Sequence, residues 1–128
     1  MNMLQAMSLV RAERNRQKEI EGWSIQHDDT HADGAMALAA GIYLLHADGR
    51  CTMREDGTPM GWPWDAAWWK PKTPERDLVR AGALYLAEQE RLQRLPGSFG
   101  LKRSRGARMD PKIKAVLQRL CQLQGDRQ

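Results

Sequence analysis

The residues best suited to chemistry stand in one short segment, His27-Asp28-Asp29-Thr30-His31, which holds two histidines and two aspartates. Imidazoles and carboxylates bind metal ions, and two histidines four residues apart share one face of a helix. A zinc site would need a third protein ligand, and a magnesium site would need more oxygen ligands than two aspartates supply. The alternative is that Thr30 or Asp29 caps the helix that follows. We therefore interpret His27, Asp28, Asp29 and His31 as the cap and rim of a ligand pocket that holds no metal.

A tryptophan-rich segment, residues 62–72, contains four of the five tryptophans in a chain with only eight aromatic residues. Tryptophan rings are costly to leave in water, so two or more of them are expected to cover the helical core. The segment also carries lysines, and two arginines follow it in the next predicted helix. Rings interleaved with cations are typical of sites that stack on a base and hold its phosphate. The segment therefore predicts ligand-binding roles for Trp64, Trp68, Trp69, Lys70, Arg76 and Arg80.

The first predicted helix carries a polar stretch, Glu13-Arg14-Asn15-Arg16-Gln17, that allows two interpretations. One is a solvated face, which is the usual position of such a run of charges. The other is that Arg14 or Gln17 projects into a site beside Trp23, which follows a helix-terminating glycine. Arg14, Gln17 and Trp23 are therefore included among the candidate ligand-binding residues.

Four helices must position these residues, and no segment alternates convincingly as a strand would. The second helix is predicted from about Asp33 to Leu45 and is apolar nearly all round, which predicts that other helices enclose it. Thr73 and Asp110 each precede a proline and are predicted N-caps. The predicted helices run from Met3 to about Glu19, from about Asp33 to Leu45, from Pro74 to the stop at Pro96-Gly97, and from Pro111 onward.

These elements predict an all-α fold, a compact three- to four-helix bundle with a tryptophan-rich loop and a basic linker before the C-terminal helix. Residues 1–95 are predicted to form the helical core domain. Residues 96–128 are predicted to form the linker and an amphipathic helix, which either docks on the core or pairs with another chain.

Charge and composition narrow the class of protein. The net charge of +4 is uneven, since residues 96–128 carry +6 and residues 1–95 carry −2. Nucleic acid could contact this basic tail, although a solvated linker is favoured. The longest apolar run, residues 35–45, is shorter than the roughly 20 residues of a membrane span, so no membrane partner is expected. No signal peptide is visible, and two cysteines without metal-binding spacing fit a reducing cytoplasm.

Two groups of residues, within about residues 10–95, resemble a widespread family of small proteins encoded in phages and prophages. The first group is Glu13-Arg14-x-Arg16-Gln17, Gly22-Trp23 and His27-Asp28-Asp29-x-His31. The second group is Trp68-Trp69-Lys70-Pro71, Arg76-x-Leu78-Val79-x-Ala81-x-Ala83-Leu84 and Ala87-Glu88-x-Glu90-Arg91-Leu92. The resemblance implies an accessory protein in the cytoplasm of a bacterial host, and it implies no particular activity.

More distantly, the layout is similar to that of MazG-like all-α nucleotide pyrophosphohydrolases, which cleave nucleoside triphosphates with Mg²⁺. Those enzymes hold the metal with Glu-x-x-Glu on one helix and Glu-x-x-Asp on the next. Here residues 35–45 contain no carboxylate, and the acids of the third predicted helix do not form a Glu-x-x-Asp pattern. The resemblance therefore implies a nucleotide pocket without the metal-binding half of the chemistry.

The sequence favours a non-enzymatic accessory protein that needs no cofactor and binds a small anionic, nucleotide-like ligand, for example as a sponge for an immune signal of the host. It contains no nucleophile with a recognisable partner and no glycine-rich phosphate loop. One alternative is a divergent pyrophosphohydrolase that uses Asp28, Asp29 and the histidines with Mg²⁺ or Zn²⁺. Another is an inhibitor that engages a host defence protein through the basic tail and the fourth helix. That helix also predicts a homo-oligomer.

Overall fold

A computed structural model describes residues 1–19, 34–94 and 110–126 of the chain. These residues form four α-helices: α1 (Met3–Glu19), α2 (Ala35–Ala47), α3 (Pro74–Arg94) and α4 (Pro111–Asp126). A single 3₁₀ turn, Ala66–Trp68, lies in the loop before α3. The described residues contain one isolated antiparallel bridge, between Met53 and Pro59, and no strand. The predicted all-α fold is confirmed.

Helix α3 is the central helix of the bundle. The Thr73 hydroxyl accepts a hydrogen bond from the backbone N–H of Arg76 at 3.2 Å, so the predicted N-cap is present. The segment 77–84 is buried at every position, and α3 contacts each of the other three helices. The core of the domain is therefore arranged around the first half of α3.

The expectation that other helices enclose α2 is wrong. Leu38 and Leu45, seven residues apart on one face of α2, are 48% and 44% exposed. The small residues Ala39 and Ala40 are fully buried in the core, and α2 packs mainly on α3. A run of alanines makes a helix look apolar all round, but alanine tolerates solvent as well as contact. The central position belongs to α3, which contacts each of the other three helices.

Helices α1 and α4 approach α3 at Gly82. A Cβ atom at this position would lie 2.7 Å from Cγ2 of Val10 and 3.3 Å from Cγ1 of Val116. Such a close approach requires a residue without a side chain.

Helix α4 docks back on the core, one of the two arrangements that its apolar stripe predicted. The Asp110 side chain caps the helix, because its Oδ1 accepts the backbone N–H of Lys112 at 2.8 Å. The stripe Ile113, Val116, Leu117 and Leu120 is buried against α1 and α3. The apolar face that suggested a homo-oligomer is thus covered within the chain, and the oligomeric state stays a prediction.

Across the described ranges, no helix has the length and apolar character needed to cross a membrane.

Candidate ligand cleft between α1 and α3

The apolar stripe of α1 continues into charged residues that are also buried. Ala6 and Val10 are fully buried, and the same face then presents Arg14 and Gln17, which are 1% and 2% exposed. Glu13, beside them, is 2% exposed. The solvated-face interpretation is therefore wrong for these three residues. The alternative placed Arg14 or Gln17 in a site beside Trp23, which lies outside the described residues, so that site stays a prediction.

Glu13 is the centre of a hydrogen-bonded cluster between α1 and α3. Its carboxylate accepts two hydrogen bonds from the Arg16 guanidinium, at 2.8 and 2.7 Å, and one from Arg76 at 3.1 Å. The Gln17 amide nitrogen donates to Oε2 of the same carboxylate at 3.3 Å. Burial alone would raise the pKa of Glu13, but the hydrogen bond and charge of Arg16, and the charges of Arg80 and Arg76, outweigh it and lower the pKa. Glu13 is therefore ionised at neutral pH and positions two guanidinium groups.

A second set of ion pairs joins α1 to the C-terminal half of α3. Arg14 and Lys18 each lie 3.7 Å from the Glu90 carboxylate. Glu88 accepts a hydrogen bond from Nε of Arg91, and both side chains are buried. Charged side chains near the end of α1 thus face the C-terminal half of α3.

The tryptophans of the loop divide between the core and the surface. Trp62 is 5% exposed and packs edge-on against Tyr43, Trp64 and Trp69, with ring centroids 5.6, 5.5 and 5.0 Å away. These rings cover the core, as expected for two or more of the four. Trp68 is 38% exposed instead, and Nζ of Lys70 lies 5.4 Å from the centroid of its ring.

Side chains of α2 and α3 fix the backbone of residues 70–72. The Lys70 N–H donates to the Tyr43 hydroxyl at 3.1 Å, and the Lys70 carbonyl accepts a hydrogen bond from Arg80. The Lys72 N–H donates to Oδ1 of Asp77 at 2.8 Å. These contacts set the position of Lys70 and of the exposed tryptophan before it.

Two further groups support these anchors. The other oxygen of Asp77 lies 2.6 Å from Nδ1 of His46, and the His46 ring packs edge-on against Trp69. Burial raises the pKa of Tyr43, and hydrogen bonds from Lys70 and Arg80 offset part of the rise. The Tyr43 hydroxyl is therefore protonated at neutral pH, and its oxygen accepts the hydrogen bond from the Lys70 N–H.

A cleft opens where the buried cluster of α1 meets the tryptophan loop and α3. Its volume is about 250 Å³ with the open space at its mouth included. Three of the lining residues are cationic and one is acidic, which leaves a net charge of +2 beside two aromatic rings. The lining residues are Glu13, Arg16, Gln17, Tyr43, Trp68, Lys70, Arg80 and Leu84.

Four of the ligand-binding residues predicted from the sequence line this cleft: Gln17, Trp68, Lys70 and Arg80. Arg76 is joined to the cleft through its ion pair with Glu13. The structure places the remaining three elsewhere, since Arg14 pairs with Glu90 while Trp64 and Trp69 pack against Trp62.

The remaining candidates, Trp23, His27, Asp28, Asp29 and His31, lie outside the described residues. Their predicted ligand-binding or capping roles stay predictions. Within the described ranges, no three His, Cys, Asp or Glu side chains come together in a way that could hold a metal ion.

Sequence reasoning missed four cleft residues, Glu13, Arg16, Tyr43 and Leu84. A signal existed for Glu13, which continues the buried spacing that starts at Ala6 and Val10. Tyr43 was also detectable, because a hydroxyl in an otherwise aliphatic helix needs a hydrogen-bond partner. Nothing local indicated Arg16, whose position follows from its contact with Glu13.

Comparisons with protein-family models, with curated proteins and with solved structures give no match for this chain. Its function is therefore inferred from the chemistry of the cleft.

Proposed function

We propose that the cleft binds a small anionic ligand that carries a flat ring, of the nucleotide class, and that the protein acts by holding this ligand. The observation that carries the proposal is the placement of a half-exposed tryptophan ring, Trp68, among the cations Arg16, Lys70 and Arg80 in one cleft. A base stacked on an exposed aromatic ring gains about 1–3 kcal/mol, and a phosphate gains from the positive charge beside it.

The charge of the cleft supports an anion over a neutral or cationic ligand. Glu13 contributes the one negative charge among the lining residues, and it is neutralised by Arg16 and Arg76. The hydrogen bonds at residues 70–72 hold the backbone of Lys70 in place before a ligand arrives, which reduces the backbone entropy lost on binding.

The shape of the cleft favours a ligand that contacts it mainly at its mouth. The volume of about 250 Å³ includes the open space at the mouth, so the cleft encloses little space of its own. The ring and the phosphate of the proposed ligand therefore lie at the mouth, beside Trp68 and Arg16.

The state of Glu13 supports holding the ligand over converting it. A carboxylate whose pKa is lowered by three guanidinium groups is a weak base, so Glu13 suits positioning better than proton transfer. The proposed role is that of an accessory protein of phage or prophage type, a sponge for a nucleotide signal of host immunity being one form. The resemblance of the sequence motifs to the phage-encoded family suggests this setting.

Isothermal titration calorimetry with mononucleotides, dinucleotides and cyclic nucleotides tests the proposal. We expect saturable binding by the full chain, and a loss of roughly 10-fold or more in affinity for Trp68→Ala. Lys70→Ala should weaken binding as well, whereas Lys114→Ala, which removes the same charge from the exposed surface of α4, should leave it unchanged. Absence of binding across the panel would refute the proposal.

The alternative function, a metal-dependent nucleotide pyrophosphohydrolase, is tested separately. Chromatography after incubation with nucleoside triphosphates and Mg²⁺, Mn²⁺ or Zn²⁺ would detect pyrophosphohydrolase activity. Recovery of every nucleotide unchanged supports a protein that binds its ligand without converting it. Turnover that is lost on combined Asp28→Ala and Asp29→Ala substitution supports the enzyme.

The third possibility, a protein-directed inhibitor, needs substitutions on the surface. Deleting residues 97–128 would remove Leu117 and Leu120, which are fully buried in the core, and would expose α1 and α3. Reversal of exposed charges on α4, such as Lys112 and Lys114, leaves the core intact. Loss of host-protein binding in that variant, with nucleotide binding retained, would favour the inhibitor.

A further inference from the structure

Two polar atoms on residues that line the cleft are buried without a hydrogen-bond partner in the described part of the chain. They are Oε1 of Gln17, an acceptor, and Nε of Arg80, a donor. Gln17 is 2% exposed and Arg80 is 7% exposed. Buried polar groups are almost always paired in folded proteins, because an unpaired one costs about 1–3 kcal/mol. A complementary acceptor and donor in one candidate binding cleft are best explained by a ligand that pairs with both.

The chemistry of the cluster assigns the oxygen and nitrogen of the Gln17 amide. The amide nitrogen lies 3.3 Å from Oε2 of Glu13, and an ionised carboxylate can only accept hydrogen bonds. The reversed orientation would place two acceptors against each other. The unpaired atom of Gln17 is therefore the oxygen, and it requires an N–H or O–H group from a ligand.

Arg80 offers the matching donor. One of its terminal nitrogens donates to the Lys70 carbonyl, and its guanidinium carbon lies 5.9 Å from the centroid of the Tyr43 ring. These contacts fix the guanidinium plane, since the group is rigid. The Nε–H that remains is suited to a ring nitrogen or a carbonyl oxygen.

We propose that Gln17 is a specificity-determining residue that accepts a hydrogen bond from an exocyclic amino group of the ligand's base, while Nε of Arg80 donates to an acceptor atom on the ligand. This inference rests on the proposed function and narrows the ligand to nucleotides of amino-bearing bases, adenine, cytosine or guanine. The amino group satisfies the buried oxygen, and a ligand that differs only by lacking this group leaves that oxygen unpaired.

Matched ligand pairs test the proposal on the full chain. Each pair differs by one amino group: AMP against purine riboside monophosphate, CMP against pyrimidin-2-one riboside monophosphate, and GMP against inosine monophosphate. For at least one pair we expect the amino-bearing nucleotide to bind roughly 10-fold more tightly, about 1.4 kcal/mol, because the amino-free ligand leaves a buried acceptor unpaired.

A variant connects this preference to Gln17. Gln17→Met keeps the approximate shape of the side chain and removes the acceptor, so the preference within the pair should fall to about 1-fold. Gln118→Met changes an exposed glutamine of α4 in the same way and should keep the preference. If Gln17→Met does not fold, as judged by circular dichroism, Gln17→Asn takes its place, because it withdraws the acceptor by one methylene group and should lose the preference as well.

The outcomes separate this inference from the proposed function. No binding of any nucleotide refutes the proposed function. Binding with equal affinity within every pair refutes the inference and leaves the proposed function standing. A preference that survives in folded Gln17→Met overturns the assignment to Gln17.

Discussion

Gly82 is the position in the bundle where a single added methyl group should have the clearest effect. The new Cβ would lie 2.7 and 3.2 Å from the two methyl carbons of Val10 and 3.3 Å from one methyl carbon of Val116. Both valines are fully buried and β-branched, so they cannot rotate away without new clashes. Gly82→Ala must therefore push α1 or α4 away from α3.

The magnitude follows from two opposing terms. Replacing a glycine inside a helix by alanine gains about 1 kcal/mol from helix propensity. Overpacking of a filled core costs about 1–3 kcal/mol. Gly41 of α2 is the matched control, because its added Cβ would meet only the Tyr85 hydroxyl at 3.6 Å, an ordinary contact. We expect Gly41→Ala to be more stable by up to about 1 kcal/mol and Gly82→Ala to be less stable by up to about 2 kcal/mol.

Urea unfolding followed by circular dichroism measures this difference, which should be about 1–3 kcal/mol between the two variants. Thermal midpoints should differ by roughly 4–12 °C, at about 4 °C per kcal/mol for a chain of this size. Because Val10 lies one turn before Glu13, the displaced α1 should also weaken nucleotide binding in Gly82→Ala. Equal stability of the two variants, or a more stable Gly82→Ala, would contradict the close approach of α1 and α4.

Three further predictions concern the cluster, the loop and the fourth helix. The pKa of Glu13 is lower in the folded protein than its ordinary value of 4.5, so its stabilisation is present above that pH and is lost as pH falls through the folded-state pKa. Glu13→Gln should therefore be less stable than the unmodified chain at neutral pH, and urea unfolding at about pH 3 should show the difference shrinking. Asp77→Ala leaves the Lys72 N–H without its acceptor, which should cost about 1–3 kcal/mol and speed hydrogen exchange at that amide; unchanged exchange would rule out the anchoring role. Leu117→Ala, at a fully buried position of α4, should cost about 2–5 kcal/mol in urea unfolding, and a loss below about 1 kcal/mol would mean that α4 does not dock on the core.

The starts of α3 and α4 were predictable because their signals are local, whereas α2 ends at Ala47, two residues after the predicted Leu45. Thr73 and Asp110 are each followed by proline, and both act as the caps that this pattern indicates. Which helix the others enclose was not predictable in the same way. Enclosure depends on partners from distant parts of the chain, and the buried Asp77 and Arg80 make α3 look more solvated in sequence than it is.

The same reason limits the prediction of the cleft. Trp68 and Lys70 stood out by composition, since tryptophan beside lysine is unusual enough to be noticed. Glu13 looked like a surface residue because its partner Arg76 stands 63 positions away in the chain. A buried carboxylate with a distant arginine partner has the composition of a solvated helix face, and only the folded arrangement distinguishes the two.

The C-terminal half of α1 is held by two opposing tethers. Glu13 draws it toward Arg76, before Gly82 in α3, and Lys18 draws it toward Glu90, after Gly82. The contact of Val10 with Gly82 lies between these two ion pairs. A rotation of α1 about this contact that shortens one ion pair therefore lengthens the other. A ligand phosphate that drew Arg76 from Glu13 would leave the Glu90 tether unopposed and turn α1 about this contact. If the cleft binds a phosphate as proposed, its occupancy would be coupled to the crossing angle of α1 and α3.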